Sequence, residues 1–419
     1  NYSTSNVLIA NNTFTGSYSP TPGLLTYNQN ALPAIALTGV SNVTIANNSF
    51  SDPNIQSYQS AQGAKDGGGT EDVCGRDDTP LSWGSTTLLR GICLSGNAIR
   101  VTNGSHYSIL NNTISGALDE AIRLDNPNGI VTVKGNAISN MRMGPDTNIG
   151  AAIFVRQNTG TSTVYVEQNT ITANSPGRNL IQNIGGNSLA SGSVTSVIDA
   201  SDNDFGNVID GLEVGLCRGR ASFPRAGDLY GDADILPQEC DPAAPPIMNF
   251  LALNNTIRPS STGASPGWFD YDGIDLNIGS YSTFNSSILG NNVEVNTRGN
   301  AFTADFRGST FVNLSLSSNT FNSGNAPIDI LAQTIGIPTP FSTGAIAITG
   351  GSLTRQGGGA LFDITTSSNN NTQTAVPTYY VNAPDYTQAE ATFSNAVFAT
   401  GTAFPEIYFN GDKVLPTPP

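Results

Sequence analysis

One short pattern recurs along this chain and leaves few folds open to it. An apolar residue is followed by two others, then Asn, then one residue, then a second apolar residue. The pattern runs from Ile9 to Phe14 around Asn12, and from Ile45 to Phe50 around Asn48. It returns from Ile109 to Ile114 around Asn112, from Val133 to Ile138 around Asn136, and from Val166 to Ile171 around Asn169. Looser copies carry Asn203, Asn255, Asn291 and Asn319, Gly351 takes the Asn place in a late copy, and Asn395 closes the series. Self-similarity at a period of about 20 to 50 residues marks a solenoid. Alternating apolar residues on each side of the Asn predict short strands with one buried face. Between them the chain turns sharply, and Asn tolerates the left-handed conformation that such a turn uses. Stacked coils then place these amides over one another, so the Asn series is expected to be structural rather than catalytic.

A second pattern, small-apolar-x-apolar, lies between the Asn copies. It occurs at Ala34 to Leu37, Gly91 to Leu94, Ala121 to Leu124, Ala152 to Val155, Gly211 to Val214 and Gly273 to Leu276. Later copies are Ala345 to Ile348 and Ala360 to Ile364. Each coil is therefore expected to supply this strand, the strand before the Asn and the strand after it, over ten or eleven coils. The pairing of the two patterns resembles the right-handed parallel β-helix repeat proteins, the pectin-lyase-like superfold. That superfold holds polysaccharide lyases, glycoside hydrolases, phage tailspikes and autotransporter passengers. The resemblance implies an all-β chain, with a single β-helix domain over 1–410 and a Pro-rich tail or linker over 411–419. Two stretches break the rhythm, about 51–90 and 215–246, and are expected to be inserts.

Composition narrows the function classes. Only 12% of the residues are charged and the net charge is −15, which disfavours nucleic acid and anionic membranes. No apolar run reaches the roughly 18 residues of a membrane-spanning helix, so this segment is not expected to insert directly. The chain starts at Asn1, which reads as a processed or excised piece. The four cysteines fall into two local pairs without tight zinc spacing. They are expected as the disulfides Cys74–Cys93 and Cys217–Cys240, each pinning an insert, and hence as a sign of an oxidising, extracellular compartment.

Period-2 alternation on the second pattern gives an outward row: Arg123 and Asp125, Phe154 and Arg156, Glu213, then Asp275 and Asn277. Trp83 and Trp268 precede two of these strands. In enzymes of the superfold the corresponding face commonly bears the active site, so the resemblance implies a groove there, walled by the inserts. Aromatic faces beside ionic forks suit a sugar. Arg123, Asp125, Phe154, Arg156, Asn277, Trp83 and Trp268 are the expected ligand-binding residues, with a solvated charged face as the competing reading. If the chain is an enzyme, Glu213 and Asp275 are the expected carboxylate pair, since glycoside hydrolysis needs two carboxyls about 5 to 10 Å apart. Asp272 and Asp210, each preceding Gly, are expected to hold turns.

Catalytic motifs of the superfold are missing. His106 is the only histidine, lacks the flanking glycines of a polygalacturonase motif, and is expected as a turn or surface residue. Lys134 falls within the Asn repeat, a poor place for a lyase base. Acidic crowds in the inserts (Asp66, Glu71, Asp72, Asp77 and Asp78; Asp228, Asp232 and Asp234) are read as solvated loops, with calcium as the alternative and no other cofactor expected. The sequons at Asn11, Asn47, Asn111, Asn254 and Asn313 mostly arise from the repeat itself. The leading expectation is a secreted or cell-surface β-helix that binds a polysaccharide or host-surface glycan, as an adhesin-like stalk or passenger. A polysaccharide-degrading lyase or glycosidase is the alternative, and a filament subunit the third.

Overall fold

The computed structural model describes residues 5–15, 33–51, 98–116, 121–139, 151–157, 159–172, 178–184, 194–208, 211–216, 240, 243–259, 272–279, 281–295, 299–307, 310–334, 343–368, 378–397 and 406–414. These residues form three long sheets whose strands recur in the order C, A, B along the chain. Sheet A has 13 strands, from Ser5–Ala10 to Asp412–Val414. Sheet B has 10, from Thr13–Thr15 to Ser352–Arg355. Sheet C has 11, from Ile35–Thr38 to Ala391–Val397. Apart from the last strand of sheet A, each described strand pairs in parallel with its equivalents in the neighbouring coils, so the described residues form a parallel β-helix.

Period-2 alternation sends one set of side chains into the lumen. In sheet A, Ile45, Ile109, Val133, Val166, Ala200, Ala252 and Ile288 stand directly over one another in register, and all are fully buried. Burial of each valine or isoleucine side chain in this row is worth about 1.5–3 kcal/mol. The register is strongly specified, because a one-residue slip would expose the entire row.

The turn between sheets A and B explains the Asn repeat. The left-handed residue is not the stacked Asn but the one before it. Asn11, Asn47, Asn111, Gly135, Gln168, Asp202, Asn254, Gly290, Ser318 and Gly350 all have positive φ. The next residue turns its amide along the solenoid axis. Nine such amides, from Asn12 to Asn319, are joined by eight side-chain hydrogen bonds of 2.9–3.0 Å, each Nδ2 donating to the next Oδ1. The ladder saturates its own chemistry. Asn112 Oδ1 accepts from both the backbone N–H and the Nδ2 of Asn48, while its Nδ2 donates to Ile45 O and Asn136 Oδ1. An amide has two donors and an acceptor oxygen with two lone pairs, and all are used here.

The ladder stops at Gly351. This residue has φ +96°, and a Cβ on it would lie 2.2 Å from the carbonyl oxygen of Asn319, so no side chain fits. Asn395, expected to close the series, instead lies in the last strand of sheet C, paired with Thr366. One of the second-pattern copies also moves. Ala345 to Ile348 belongs to sheet A, and the sheet C strand of that coil is Ile328–Thr334. Gly91 to Leu94 lies outside the described residues, and the strand between Ile35–Thr38 and Ile122–Asp125 is Ile99–Thr102. Near the C-terminus, Asp412–Val414 pairs antiparallel with Glu406–Phe409.

Candidate functional site on the outer face of sheet C

The outward residues of sheet C form two rows, one residue per coil. The first reads Ala36, Arg100, Arg123 and Phe154 on one side, then Glu213, Asp275, Thr303, Asp329 and Asp363 on the other. The second carries Thr102, Asp125 and Arg156, then Gly215, Asn277 and Asp305. The face is therefore polarised, with guanidiniums toward the N-terminal coils and carboxylates toward the C-terminal ones.

In the basic half, three arginines from three successive strands converge on Asp125. Arg123 Nε donates to both carboxylate oxygens at 3.3 and 3.0 Å. Arg100 approaches Oδ2 through Nε and Nη2, each at 3.0 Å, and Arg156 Nε lies 3.1 Å from Oδ1. Asp125 and Arg123 are buried, at 1% and 3% exposure. The Arg123 guanidinium also sits 5.1 Å from the centre of the Phe154 ring, a cation–π contact strengthened by desolvation. Arg100 and Arg156 reach the surface, with side chains 25% and 15% exposed. The cluster holds its members by mutual need: removing the carboxylate would leave three guanidiniums packed together.

In the acidic half, Glu213 and Asp275 are direct neighbours on adjacent strands. Asn277 Nδ2 donates to Asp275 Oδ2 at 2.7 Å. Both carboxylates are buried, at 2% and 7% exposure, so alternation places them outward as expected but they do not stand open to solvent. Burial holds the Asp363 carboxyl above the usual carboxylate range, with Arg355 opposing the shift. Among the described residues no group of three or more His, Cys, Asp or Glu side chains is arranged to hold a metal ion.

Other expected residues fall into place separately. Asp272 accepts the Asn300 backbone N–H at 2.9 Å, which fixes a turn one coil on. His106 has φ +51°, and its Nδ1 accepts from the Ile130 N–H at 3.4 Å, a local surface role. Lys134 pairs with Glu167 at 2.9 Å. Cys240 is buried, and no described cysteine is free. Cys74, Cys93, Cys217, Trp83, Trp268, Asp210 and the acidic crowds of the inserts lie outside the described residues.

Sequence reasoning missed Arg100, Asp305, Asp329 and Asp363. A signal was available for some of them. Ala98-Ile-Arg-Val101 repeats the small-apolar-x-apolar pattern a few residues after the copy at Gly91, and Pro327-Ile-Asp-Ile330 repeats it with Pro as the small residue.

Comparison with known families agrees with this architecture. Residues 2–199 match the family model described as a right handed beta helix region. With the C, A, B strand order that repeats as far as sheet B extends and the right-handed rule for parallel crossovers, the chain is a right-handed parallel β-helix solenoid. No curated protein and no solved structure matches it.

Proposed function

We propose that this protein is a secreted or cell-surface β-helix that binds a glycan along the outer face of sheet C, as an adhesin-like stalk or passenger. The observation that carries the reading is the convergence of Arg100, Arg123 and Arg156 on one face, with the Arg100 and Arg156 side chains partly exposed. Planar guanidiniums fit sugar carboxylates or sulfates in forked geometry, so an acidic glycan is the favoured ligand. The disulfides Cys74–Cys93 and Cys217–Cys240 belong to the same reading, since they require an oxidising compartment.

A second reading, a retaining glycosidase, is favoured by the direct register of Glu213 and Asp275. Adjacent strands are about 4.8 Å apart, close to the roughly 5–5.5 Å between the carboxyls of retaining enzymes. One experiment separates the two. The protein is titrated with polygalacturonate, alginate and sulfated glycans at two salt concentrations, and each mixture is assayed for new chain ends. Binding without cleavage, weakened about ten-fold in Arg156→Ala, is the expected result. New reducing ends made by the wild type and not by Glu213→Gln or Asp275→Asn would replace the binding reading with the hydrolytic one.

A further inference from the structure

A second surface, on the opposite chemical footing, lies on the outer face of sheet A. The strands Ile247–Leu253, Ser282–Leu289, Thr310–Ser317, Thr343–Thr349 and Thr378–Asn382 contain no Asp, Glu, Lys or Arg. In a chain of net charge −15, this is a long uncharged strip. One outward row along it runs Asn249, Asn285, Asn313, Ala345, Tyr380, Tyr408 in strict register.

The row has three parts. Asn285 Nδ2 donates to Asn249 Oδ1 at 2.9 Å, and Asn313 Nδ2 donates to Asn285 Oδ1 at 3.0 Å. These bonds use one N–H of each donating amide, and each amide has two. At the far end Tyr380 and Tyr408 stack with ring centres 5.3 Å apart and planes 23° from parallel. Tyr380 is 55% exposed, a large aromatic surface to leave in water. Between the two parts stands Ala345, exposed and no larger than a methyl group. From Asn313 to Tyr380 is two strand steps, about 9.6 Å at the usual spacing. A ring in van der Waals contact on both sides needs about 7–8 Å between its walls. The step at Ala345 is therefore a notch one ring wide, with an aromatic wall backed by a second tyrosine, an amide wall, and flanking hydroxyls from Thr378 and Ser315.

We propose that this notch is a binding subsite for a neutral polysaccharide, with one sugar ring seated over Ala345 between Tyr380 and Asn313. A sugar offers a C–H face to the tyrosine and hydroxyls to the amide, which matches the two walls. No cation stands on the strands that carry Asn313, Ala345 and Tyr380, so nothing there pairs with a uronate or a phosphate; the next strand brings Glu406, opposite Thr378 and bonded to Lys413 and Tyr408, at the far edge of the row. The subsite lies on sheet A and does not depend on the sheet C reading.

The test uses the full chain, made in a bacterial host because Asn313 opens an Asn-Leu-Ser sequon. Affinity gel electrophoresis is run in galactomannan, xyloglucan and mixed-linkage β-glucan, with polygalacturonate as the acidic comparator. The wild type should be retarded by at least one neutral polymer. Tyr380→Ala and Ala345→Trp should each weaken that retardation about ten-fold or more, and Tyr380→Phe should preserve it. Ile130→Thr, on sheet A among the N-terminal coils, should bind as the wild type does. If Ala345→Trp fails to fold by circular dichroism, Asn313→Ala replaces it with the same expectation. No retardation in any neutral polymer, or wild-type retardation of either folded notch variant, overturns the proposal. Affinity for polygalacturonate should be the same in Tyr380→Ala as in the wild type, so a failure here and a failure on sheet C are read apart.

Discussion

A single side chain in the amide ladder answers for several hydrogen bonds. Asn169 Oδ1 accepts from both the N–H and the Nδ2 of Asn136, and its own Nδ2 donates to Val133 O and Asn203 Oδ1. Asn169→Ala would leave buried donors and an acceptor without partners, each costing about 1–3 kcal/mol. Equilibrium unfolding should show a loss of about 3 kcal/mol or more. Asp199, on the outer face of sheet A, makes the opposite case. Burial raises its carboxyl first, and Glu167 and Asp202 raise it further, while a hydrogen bond from Ser201 opposes them. The folded state thus binds this proton more tightly than the unfolded state does. That contribution to stability is complete below the unfolded value near 3.8 and is lost as pH rises through the raised folded value. Asp199→Asn, which mimics the protonated form, should raise the thermal midpoint at pH 7, and the gain should vanish on acidification below that unfolded value.

At the level of the strand and turn, legibility followed the physics of repetition. The A–turn–B unit was readable because its αL residue, its ladder Asn and its two apolar positions recur together, so each copy confirms the next. Sheet C was harder to read. Its strands share only the small-apolar-x-apolar pattern, which Ala345 to Ile348 satisfies equally well in sheet A. For the same reason Arg100 escaped notice, because the copy at Gly91 to Leu94 filled its place in the count. The outward residues of sheet C could be assigned by alternation, but alternation says which way a side chain points and not what covers it. Hence the burial of Asp125 and Glu213 could not be read from spacing. Where the turn itself is irregular, a glycine reports it. Gly351→Ala should destabilise the late coils strongly, because the new Cβ overlaps the Asn319 carbonyl at a φ that L-residues avoid. Proteolysis or thermal unfolding of this variant should show a lower midpoint than that of Gly357→Ala, where a Cβ meets open space.

Across the whole chain, the first and last described strands of sheet A differ. In the first coil Val7, Ile9 and Phe14 point inward yet remain half-buried, while their counterparts Val43, Ile45 and Phe50 are buried. The far end of sheet A closes with the antiparallel pair Glu406–Phe409 and Asp412–Val414, under which Phe362, Phe393 and Phe409 meet edge to face. A solenoid gains its stability from neighbour-on-neighbour contacts, so among the described strands of this chain Ser5–Ala10, paired only with Ser41–Ala46, opens first. Hydrogen–deuterium exchange should find the amides of Ser5–Ala10 exchanging fastest among the sheet A strands and those of Thr161–Glu167 among the slowest. Equal protection along sheet A would show that the chain unfolds as one cooperative unit instead.

The amide ladder also gives the solenoid an electrical axis. Every Oδ1 from Asn48 onward accepts from the coil before it, and every Nδ2 from Asn12 to Asn291 gives a proton to the coil after it. Peptide-like dipoles of about 3.5 D add when aligned head to tail, so the column carries its negative pole at the first coil and its positive pole near Asn319. A cation placed beside Asn12, or an anion beside Asn319, would sit in a favourable field generated by side chains that bear no charge at all.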